Sequence, residues 1–457
     1  MVHAEIAIPF TPNPCDLFAR LRGLGSAVML DSGSQAGWDI VAAQPDETRS
    51  LHIPATATDS EAARQIDSLK RYTKSAVDEH AQGIDASGAD LPFHGGYIGH
   101  LSYELGRHLQ GLDRRRDGAL PLASVFYFSW AVVQDQRTQR AWLVSDGSVP
   151  EERLEKVRSL VCAPAGPRSS SAIDFALDTR FGGPWDVTAY GDVFSAVKRY
   201  IQAGDCYQIN IGQDFSAPYR GDLLPAYRWL RDVTQAPYSA FLPLDDEHSL
   251  LCLSPERFLE FDKGRVSTKP IKGTRPRHAD PDEDARAARD LVNSDKERAE
   301  NLMIVDLLRN DIGRYCETGS VSVDKLFALE SYQSVHHLVS TVSGNLRKDT
   351  LPMELLLGCL PGGSITGAPK HRAMQIIDEL ETAARQAWCG TVFYLSNHGR
   401  MDSNITIRSL YNAHGRLHCW AGGGLVDDSC TEAEFAEQRH KVGAMLDSLE
   451  RRAGLRP

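Results

Sequence analysis

The sequence has no Cys-x-x-Cys pair and no long hydrophobic run. Its nine cysteines are scattered along 457 residues, and an odd number without paired spacing is typical of reduced thiols in a cytoplasmic protein. The most apolar stretch, Ser124–Val133, is too short to span a bilayer, and Met1–Ile6 has no basic segment leading into an apolar run. We therefore predict a cytoplasmic protein without a membrane partner.

The chain also lacks an excess of basic residues. It carries 50 Lys and Arg against 61 Asp and Glu, which gives a net charge of −11 at pH 7. Proteins that bind nucleic acids need a concentrated basic face, so we expect no nucleic-acid partner. A small anionic substrate needs only local positive charge and stays compatible with this composition.

Internal repeats and low-complexity tracts are absent as well, and strand-like and helix-like segments do not alternate regularly. This pattern favours an α+β fold over a doubly wound parallel sheet. The stretch Cys162–Ser171 is rich in Pro, Gly and Ser and is the best linker candidate. It predicts an N-terminal region, residues 1–165, and a functional region, residues 185–452.

Four segments of the second region have clear local patterns. Strand candidates at Leu250–Phe261 and Val266–Ile271 are joined by a turn at Asp262–Gly264. Long helices are predicted at Asp282–Arg314, with a break near Asn293–Ser294, and at Thr431–Arg452.

A single lysine stands in a tight turn, in the sequence Pro270-Ile271-Lys272-Gly273-Thr274. A lysine amine in a desolvated pocket can lose its proton near neutral pH and become a nucleophile. Taken alone, the segment is better explained by an exposed lysine before a glycine turn.

Two predicted helices carry Glu-x-x-Glu pairs, Glu297 with Glu300 and Glu434 with Glu437. Residues three apart share a helix face, so four carboxylates can point at one site and suit Mg²⁺. Both first glutamates also match capping boxes that begin at Ser294 and Thr431, and solvated surface pairs are common. We therefore rank Glu300 and Glu437 as direct ligands above Glu297 and Glu434.

Glycine-rich segments and two polar side chains complete the candidate site. Pro361–Lys370 leads into a helix and can bind an anion through backbone N–H groups, although its spacing differs from a nucleotide-binding Walker loop. Gly424 ends a strand where a substrate can approach the backbone. Arg408, in an alternating strand pattern, suits bidentate binding of a carboxylate or a structural salt bridge. His337 is either a polar site residue or a satisfied core histidine.

These motifs occur together and in order, and the set resembles the chorismate-utilising enzymes over residues 185–452, and more weakly in the N-terminal region. The matching stretches are Asp205–Asn210, Ser254–Phe258, Thr268–Arg277, Asp295–Arg314, Gly363–Lys370, Asp402–Arg408, Ala421–Gly424 and Glu434–Lys441. The resemblance implies a two-lobed α+β fold in which antiparallel sheets form a sandwich flanked by helices.

The resemblance also implies an activity and a role for each residue. Lys272 stands where many members carry Ala, which implies a covalent Lys272 adduct and amination of chorismate at C4. Gln208 stands where members that add water carry a lysine base. Glu256 is implied as the general acid, and the four glutamates as Mg²⁺ ligands. The implied substrate contacts are Arg408, Gly424, Gly273, Thr274, His337, Lys441 and Gln208. Amination at C2 and a non-catalytic binding subunit stay open as alternatives.

Two further features follow from the resemblance. The chain contains no Cys nucleophile of the kind a glutaminase needs, so a separate glutamine amidotransferase subunit is expected to supply ammonia. Met29–Gly33 and Ala36–Ile40, with Ser32, resemble the segment that forms a tryptophan pocket in family members. Asp31 stands where a Glu is frequent before that serine, so feedback regulation does not follow.

Overall fold

The computed structural model describes residues 4–33, 37–80, 90–115, 117–163, 175–332 and 335–455. The N-terminal strands are β1 (Ala4–Ile8), β2 (Ala27–Asp31), β3 (Trp38–Ala43), β4 (Leu51–Ile53), β5 (Gly96–Leu101), β6 (Ala123–Phe128), β7 (Trp130–Asp135) and β8 (Arg140–Ser145). The later strands are β9 (Ala176–Leu177), β10 (Gln208–Arg220), β11 (Tyr238–Pro243), β12 (Ser249–Ser254), β13 (Arg257–Asp262), β14 (Arg265–Thr268), β15 (Ile271–Pro276), β16 (Ser322–Ser331), β17 (Val335–Asn345), β18 (Gly367–Ala368), β19 (Thr391–Ser396), β20 (Met401–Asn404), β21 (Ser409–Ala413) and β22 (Arg416–Leu425).

Helices account for much of the remaining described chain. They are α1 (Pro14–Leu21), α2 (Asp59–His80), α3 (Tyr103–Leu109), α4 (Glu151–Cys162), α5 (Val187–Gln202), α6 (Leu223–Thr234), α7 (Pro281–Val292), α8 (Asp295–Gly313), α9 (Pro352–Cys359), α10 (Lys370–Leu380) and α11 (Thr431–Arg452). Short 3₁₀ turns lie at Arg22–Leu24 and Gly363–Ile365. No helix in the described ranges is long and apolar enough to cross a membrane.

The strands form two antiparallel sheets. The first has the order β1-β8-β7-β3-β2-β11-β12-β21-β22-β10-β18, with β9 on β10, and the second has the order β15-β17-β14-β13-β20-β19-β5-β6-β4, with β16 on β17. Two antiparallel sheets with helices on their faces confirm the predicted α+β class. The domain boundaries between residues 165 and 185 stay a prediction, and the linker residues from 164 onward lie outside the described chain.

Alternation along the strands places the two faces of the first sheet in different cores. Val28 and Ile40 pack with Tyr97 and Phe393 of the second sheet in the largest core, so the two sheets face each other. Met29, one residue from Val28, packs in a second core with the helices of the opposite face. A period of two is the expected geometry of buried strands.

The prediction of one continuous strand at Leu250–Phe261 is wrong, and the difference determines where Glu256 lies. It is two strands, since β12 lies in the first sheet and β13 in the second. Pro255 has no N–H group to continue a ladder, and the chain crosses between the sheets at Pro255 and Glu256. The predicted turn at Asp262–Gly264 is confirmed, because Phe261 pairs with Val266 across it.

The two long helices agree with the sequence prediction. The segment Asp282–Arg314 divides into α7 and α8 at Asn293 and Ser294, and α11 spans Thr431–Arg452. Ser294 caps α8 by accepting from the N–H of Glu297 at 3.4 Å, which explains the break.

Candidate active site

Lys272 lies on β15, at the edge strand that pairs with β17. The register of this pair shifts between Ile271 and Thr274, so Lys272 and Gly273 form a bulge. Gly273 has φ +80°, and a Cβ there would lie 2.7 Å from Leu291 Cδ1 and 2.9 Å from Glu297 Oε2. A side chain at Gly273 would therefore be strained and crowded. Glycine at this position lets the bulge form beside Lys272.

The Lys272 side chain is only 15% exposed, which excludes the exposed-lysine interpretation. Its Nζ lies 3.9 Å from Glu300 Oε2. Burial lowers the pKa of Lys272 below its ordinary value, although the carboxylate of Glu300 opposes this change. A buried amine with a lowered pKa is the form that a lysine nucleophile requires.

Glu256 lies at the crossing between the two sheets and is buried. Its carbonyl oxygen accepts from the N–H of Ile405 at 3.1 Å, and its Oε1 accepts from Ser364 Oγ at 2.8 Å. Burial raises the pKa of Glu256 to about 7, although the Ser364 hydrogen bond and the charge of Lys272 lower it. A large share of the carboxyl is thus protonated near neutral pH, as a general acid requires.

The four glutamates lie on two helices that face one site. Glu297 and Glu300 are on α8, and Glu434 and Glu437 are on α11. Burial raises the pKa of Glu300, the charges of Lys272 and Lys296 oppose this change, and the charges of Glu297 and Glu434 raise the pKa by a smaller amount. The carboxylates of the two helices therefore repel each other across a shared space.

In both predicted capping boxes, the glutamate should accept from the backbone N–H of the N-cap residue, and this part of the prediction is wrong. The carboxylate of Glu297 lies 3.4 Å from Arg275 Nη1 and does not return to Ser294. Cys430 is the N-cap of α11, and Glu434 accepts from Ser429 Oγ at 2.7 Å. Neither carboxylate is used for helix capping, so both Glu297 and Glu434 remain candidates for metal ligands.

The burial of the four glutamates does not follow the predicted ranking, in which Glu437 is a direct ligand ahead of Glu434. Glu437 is 52% exposed and forms a 2.8 Å ion pair with Lys441, while Glu434 is buried. Burial raises the pKa of Glu437, but Lys441 outweighs it and holds the pKa below the ordinary value. Across the described ranges no three acidic, histidine or cysteine side chains form a ready-made metal cluster.

Arg408 is not in a strand, contrary to the prediction. It lies between β20 and β21 with φ +49°, a left-handed conformation that is uncommon for arginine. Within the described chain its half-buried guanidinium has no ion pair or hydrogen bond, so the salt-bridge alternative is wrong. Burial lowers the pKa of Arg408, as expected for a cation that lacks a carboxylate partner.

His337 and Thr274 form the wall next to Arg408. They are paired between β17 and β15, and Thr274 Oγ1 lies 2.9 Å from His337 Nδ1. Burial lowers the pKa of His337 to about 4, and the charge of Arg408 lowers it as well. His337 is therefore a neutral hydrogen-bonding group at neutral pH.

Gln208 and Gly424 lie together where β10 meets β22. A Cβ on Gly424 would lie 2.7 Å from Gln208 Nε2, so glycine keeps this contact open. Both amide atoms of Gln208 are buried, and neither has a partner within the described part of the chain. Both atoms are therefore available to hydrogen-bond a water or a bound molecule. Lys441 Nζ donates to the carbonyl oxygen of Gly422 at 3.0 Å nearby.

Sequence reasoning missed four side chains that support this site. Asn210 Oδ1 is buried without a partner in the described chain, two residues from Gln208. Asp311 and Lys370 form a buried 2.6 Å ion pair between α8 and α10. Ser364, inside the predicted glycine-rich loop, holds Glu256; only the loop itself gave a signal.

Ser32 lines a separate cavity of about 280 Å³ between the two sheets. Its Oγ donates to Asp39 Oδ1 at 2.9 Å, and Asp31 beside it is paired with Arg231 at 2.6 Å. Arg257, the residue after Glu256, also lines the cavity. Ala36, in the predicted segment, lies outside the described residues, and binding of tryptophan stays a prediction.

Comparisons with known proteins point in one direction. Residues 25–447 match the family described as chorismate binding enzyme. The chain is 42% identical over 457 residues to aminodeoxychorismate synthase component 1 of Klebsiella aerogenes, covering 98% of this chain and 99% of that protein. It is 42% identical over 443 residues to the protein of the same name in Escherichia coli strain K12, covering 95% of both. Anthranilate synthase component I of Streptococcus pneumoniae superposes with a TM-score of 0.73 at 28% identity, covering 90% of this chain and 92% of that one.

Proposed function

The chain belongs to the chorismate binding enzyme family, and we propose that it is component 1 of an aminodeoxychorismate synthase. It would convert chorismate and ammonia to 4-amino-4-deoxychorismate and water. The observation that carries the proposal is the position of Lys272, whose side chain is only 15% exposed and whose Nζ lies 3.9 Å from Glu300 Oε2. Its amine is also within electrostatic reach of Glu256, and burial raises the pKa of that carboxyl. Nearly full-length relatives with this name support the same assignment.

The polar groups around Lys272 suit a dicarboxylate substrate. The guanidinium of Arg408, which has no partner in the described chain, would bind the enolpyruvyl carboxylate beside the backbone of Gly424. Gln208 offers a free amide at the same place. Thr274 and the neutral His337, which lie next to Arg408, would also hydrogen-bond the substrate. Gly273 and Lys441 border the site on β15 and α11.

The reaction needs one acid and one nucleophile. The neutral amine of Lys272 would form a bond to C2 while the C4–O bond breaks and Glu256 gives its proton to the leaving hydroxyl, which departs as water. Ammonia would then bond to C4 while the ring electrons shift back and the C2–N bond to Lys272 breaks. The new C4 ammonium would return a proton to Glu256, so both groups are restored.

Magnesium fits the donor chemistry of the acidic helices. Carboxylate oxygens are the ligands that Mg²⁺ prefers, and repulsion between Glu300 and Glu434 would be relieved by a cation. We assign Glu300 and Glu437, with Glu297 and Glu434, to hold it. When bound, the ion would neutralise the ring carboxylate of chorismate. These side chains form no ready-made cluster in the described ranges, so they would have to move to bind the ion together.

The ammonia would come from a second protein. The name "component 1" of the relatives indicates a partner component. We propose that this partner is a separate glutamine amidotransferase subunit, because the sequence contains no glutaminase nucleophile motif. Free ammonia should then replace the partner at high concentration.

Product analysis tests the function directly. The purified chain is incubated with chorismate, Mg²⁺ and ammonium, and the products are separated by chromatography, with and without an added lyase that yields 4-aminobenzoate. We expect 4-amino-4-deoxychorismate. Anthranilate with pyruvate would instead identify amination at C2 and refute the role of Lys272 in regiochemistry. No turnover with either ammonium or a glutaminase partner would support a binding role.

A further inference from the structure

Ser364 makes the side-chain hydrogen bond to Glu256. Its Oγ donates to Glu256 Oε1 at 2.8 Å, and both side chains are buried. The two residues are 108 positions apart, so this contact is created only by the fold. Within the described chain, this is the side-chain hydrogen bond that lowers the pKa of the Glu256 carboxyl.

We propose that Ser364 is a positioning residue that fixes which oxygen of Glu256 carries the proton for the leaving hydroxyl. This role deepens the proposed function and rests on it. Ser364 contacts the general acid and would act on the reaction through it.

The direction of the hydrogen bond determines the result. A protonated carboxyl has one carbonyl oxygen, which accepts, and one hydroxyl oxygen, which donates. Because Ser364 donates to Oε1, the proton is directed to Oε2. When Oε2 gives its proton to the leaving hydroxyl, the new carboxylate keeps a charge-assisted hydrogen bond at Oε1, which stabilises the transition state.

The loop around Ser364 is fixed from several sides. The 3₁₀ turn Gly363–Ile365 packs against α8, where a Cβ on Gly363 would lie 2.6 Å from Leu307 Cδ2. The carbonyl of Ile365 accepts from Arg385 Nη1 at 2.9 Å. The hydroxyl therefore has little freedom to leave Glu256, as a positioning role requires.

The charged groups around Glu256 would not change in a Ser364 variant, so the effect of the lost hydrogen bond can be measured by itself. The charged group that acts on Glu256 in the described chain is Lys272 on β15. Lys272 is itself under the influence of Glu300 and Glu297 on α8 and Lys441 on α11. Asp311 of α8, next to the loop, is already paired with Lys370. A change at Ser364 alters none of these charges.

Three variants separate positioning from loop stability. Ser364→Ala removes the donor, and Ser364→Thr keeps it. Thr366→Val is the matched control, because the Thr366 hydroxyl donates to the carbonyls of Gly362 and Gly363 in the same loop and makes no hydrogen bond to Glu256. The pH dependence of kcat and of kcat/KM with ammonium is measured for each variant.

Loss of a hydrogen bond to a charged group is expected to lower kcat about tenfold to a hundredfold in Ser364→Ala. The basic limb of its profile should move upward by at least about one pH unit, because a carboxylate without its donor ionises at higher pH. Ser364→Thr should restore the wild-type profile. An unmoved limb in Ser364→Ala, or the same upward movement in Thr366→Val, would overturn the proposal.

A titration without substrate separates this proposal from the proposed function. Carbon-13 NMR of carboxyl-labelled glutamate, with the Glu256 signal assigned by its loss in Glu256→Gln, reports the ionisation of Glu256 directly. A higher pKa in Ser364→Ala than in the wild type or Thr366→Val supports the contact, and identical titrations refute it. If the wild type forms no 4-amino-4-deoxychorismate, the proposed function fails, whereas this titration separately decides whether Ser364 controls the ionisation of Glu256.

Discussion

Replacing the general acid should make the protein more stable at neutral and alkaline pH. Glu256→Gln keeps a carbonyl oxygen that can accept from Ser364 and removes a carboxylate from a buried site. Burial raises the pKa of Glu256 from 4.5 in its ordinary state to about 7. The folded wild type therefore holds the proton more tightly than the unfolded chain does.

The size of the effect follows from this difference in pKa. Below pH 4.5 the carboxyl is protonated in both states and costs nothing, whereas above pH 7 the folded state contains a buried carboxylate. The cost approaches about 3 kcal/mol at alkaline pH, and most of it develops between pH 5 and pH 8. Wild-type stability should fall over this window by that contribution, and Glu256→Gln should lack the fall.

Urea unfolding followed by tryptophan fluorescence measures this at several pH values. The informative quantity is the free energy of unfolding of Glu256→Gln minus that of the wild type. Glu47→Gln, at an exposed carboxylate, is the control and should parallel the wild type. If the difference between Glu256→Gln and the wild type stays constant from pH 5 to pH 8, burial does not perturb Glu256 and the argument for a general acid fails.

Three further variants test the other parts of the site. Lys272→Met should reduce formation of 4-amino-4-deoxychorismate by more than roughly a hundredfold, as measured by chromatography, and full activity would refute the role of Lys272 as nucleophile. The variant should stay folded in urea unfolding, because burial makes the charge of Lys272 unfavourable. Glu437→Gln should raise the Mg²⁺ concentration for half-maximal rate about tenfold, and an unchanged Mg²⁺ titration would remove it from the ligands. Gly273→Ala should cost about 1–2 kcal/mol for its left-handed backbone and about 1–3 kcal/mol for contacts with Leu291 and Glu297, measured as a lower urea midpoint with an unchanged slope.

Features with local causes were predictable from the sequence. The break between α7 and α8 follows from Ser294 as a cap, and the turn after β13 follows from Gly264, which has φ +85°. In each case the signal and the structure it determines lie within a few residues.

Features that depend on distant partners were not predictable. Pro255 was visible in the sequence, but the crossing of the chain to the second sheet depends on the contact of Glu256 with Ile405. The left-handed conformation of Arg408 removes it from a strand that its neighbours' alternation predicts. Ser364 had no signal of its own, because its partner Glu256 is distant in the chain.

Both sheets contain strands from the N-terminal and the C-terminal regions, so the two regions are not expected to fold as separate fragments. Met29–Asp31 pairs with Ser239–Phe241 in the first sheet, and Gly96–Leu101 pairs with Thr391–Ser396 in the second. A fragment that starts at residue 175 would expose the edges of β11 and β19, and unpaired edges promote aggregation. The motif-rich half of the chain, which holds the candidate catalytic residues, is thus expected to be insoluble when expressed alone and to be rescued by co-expression with residues 1–163.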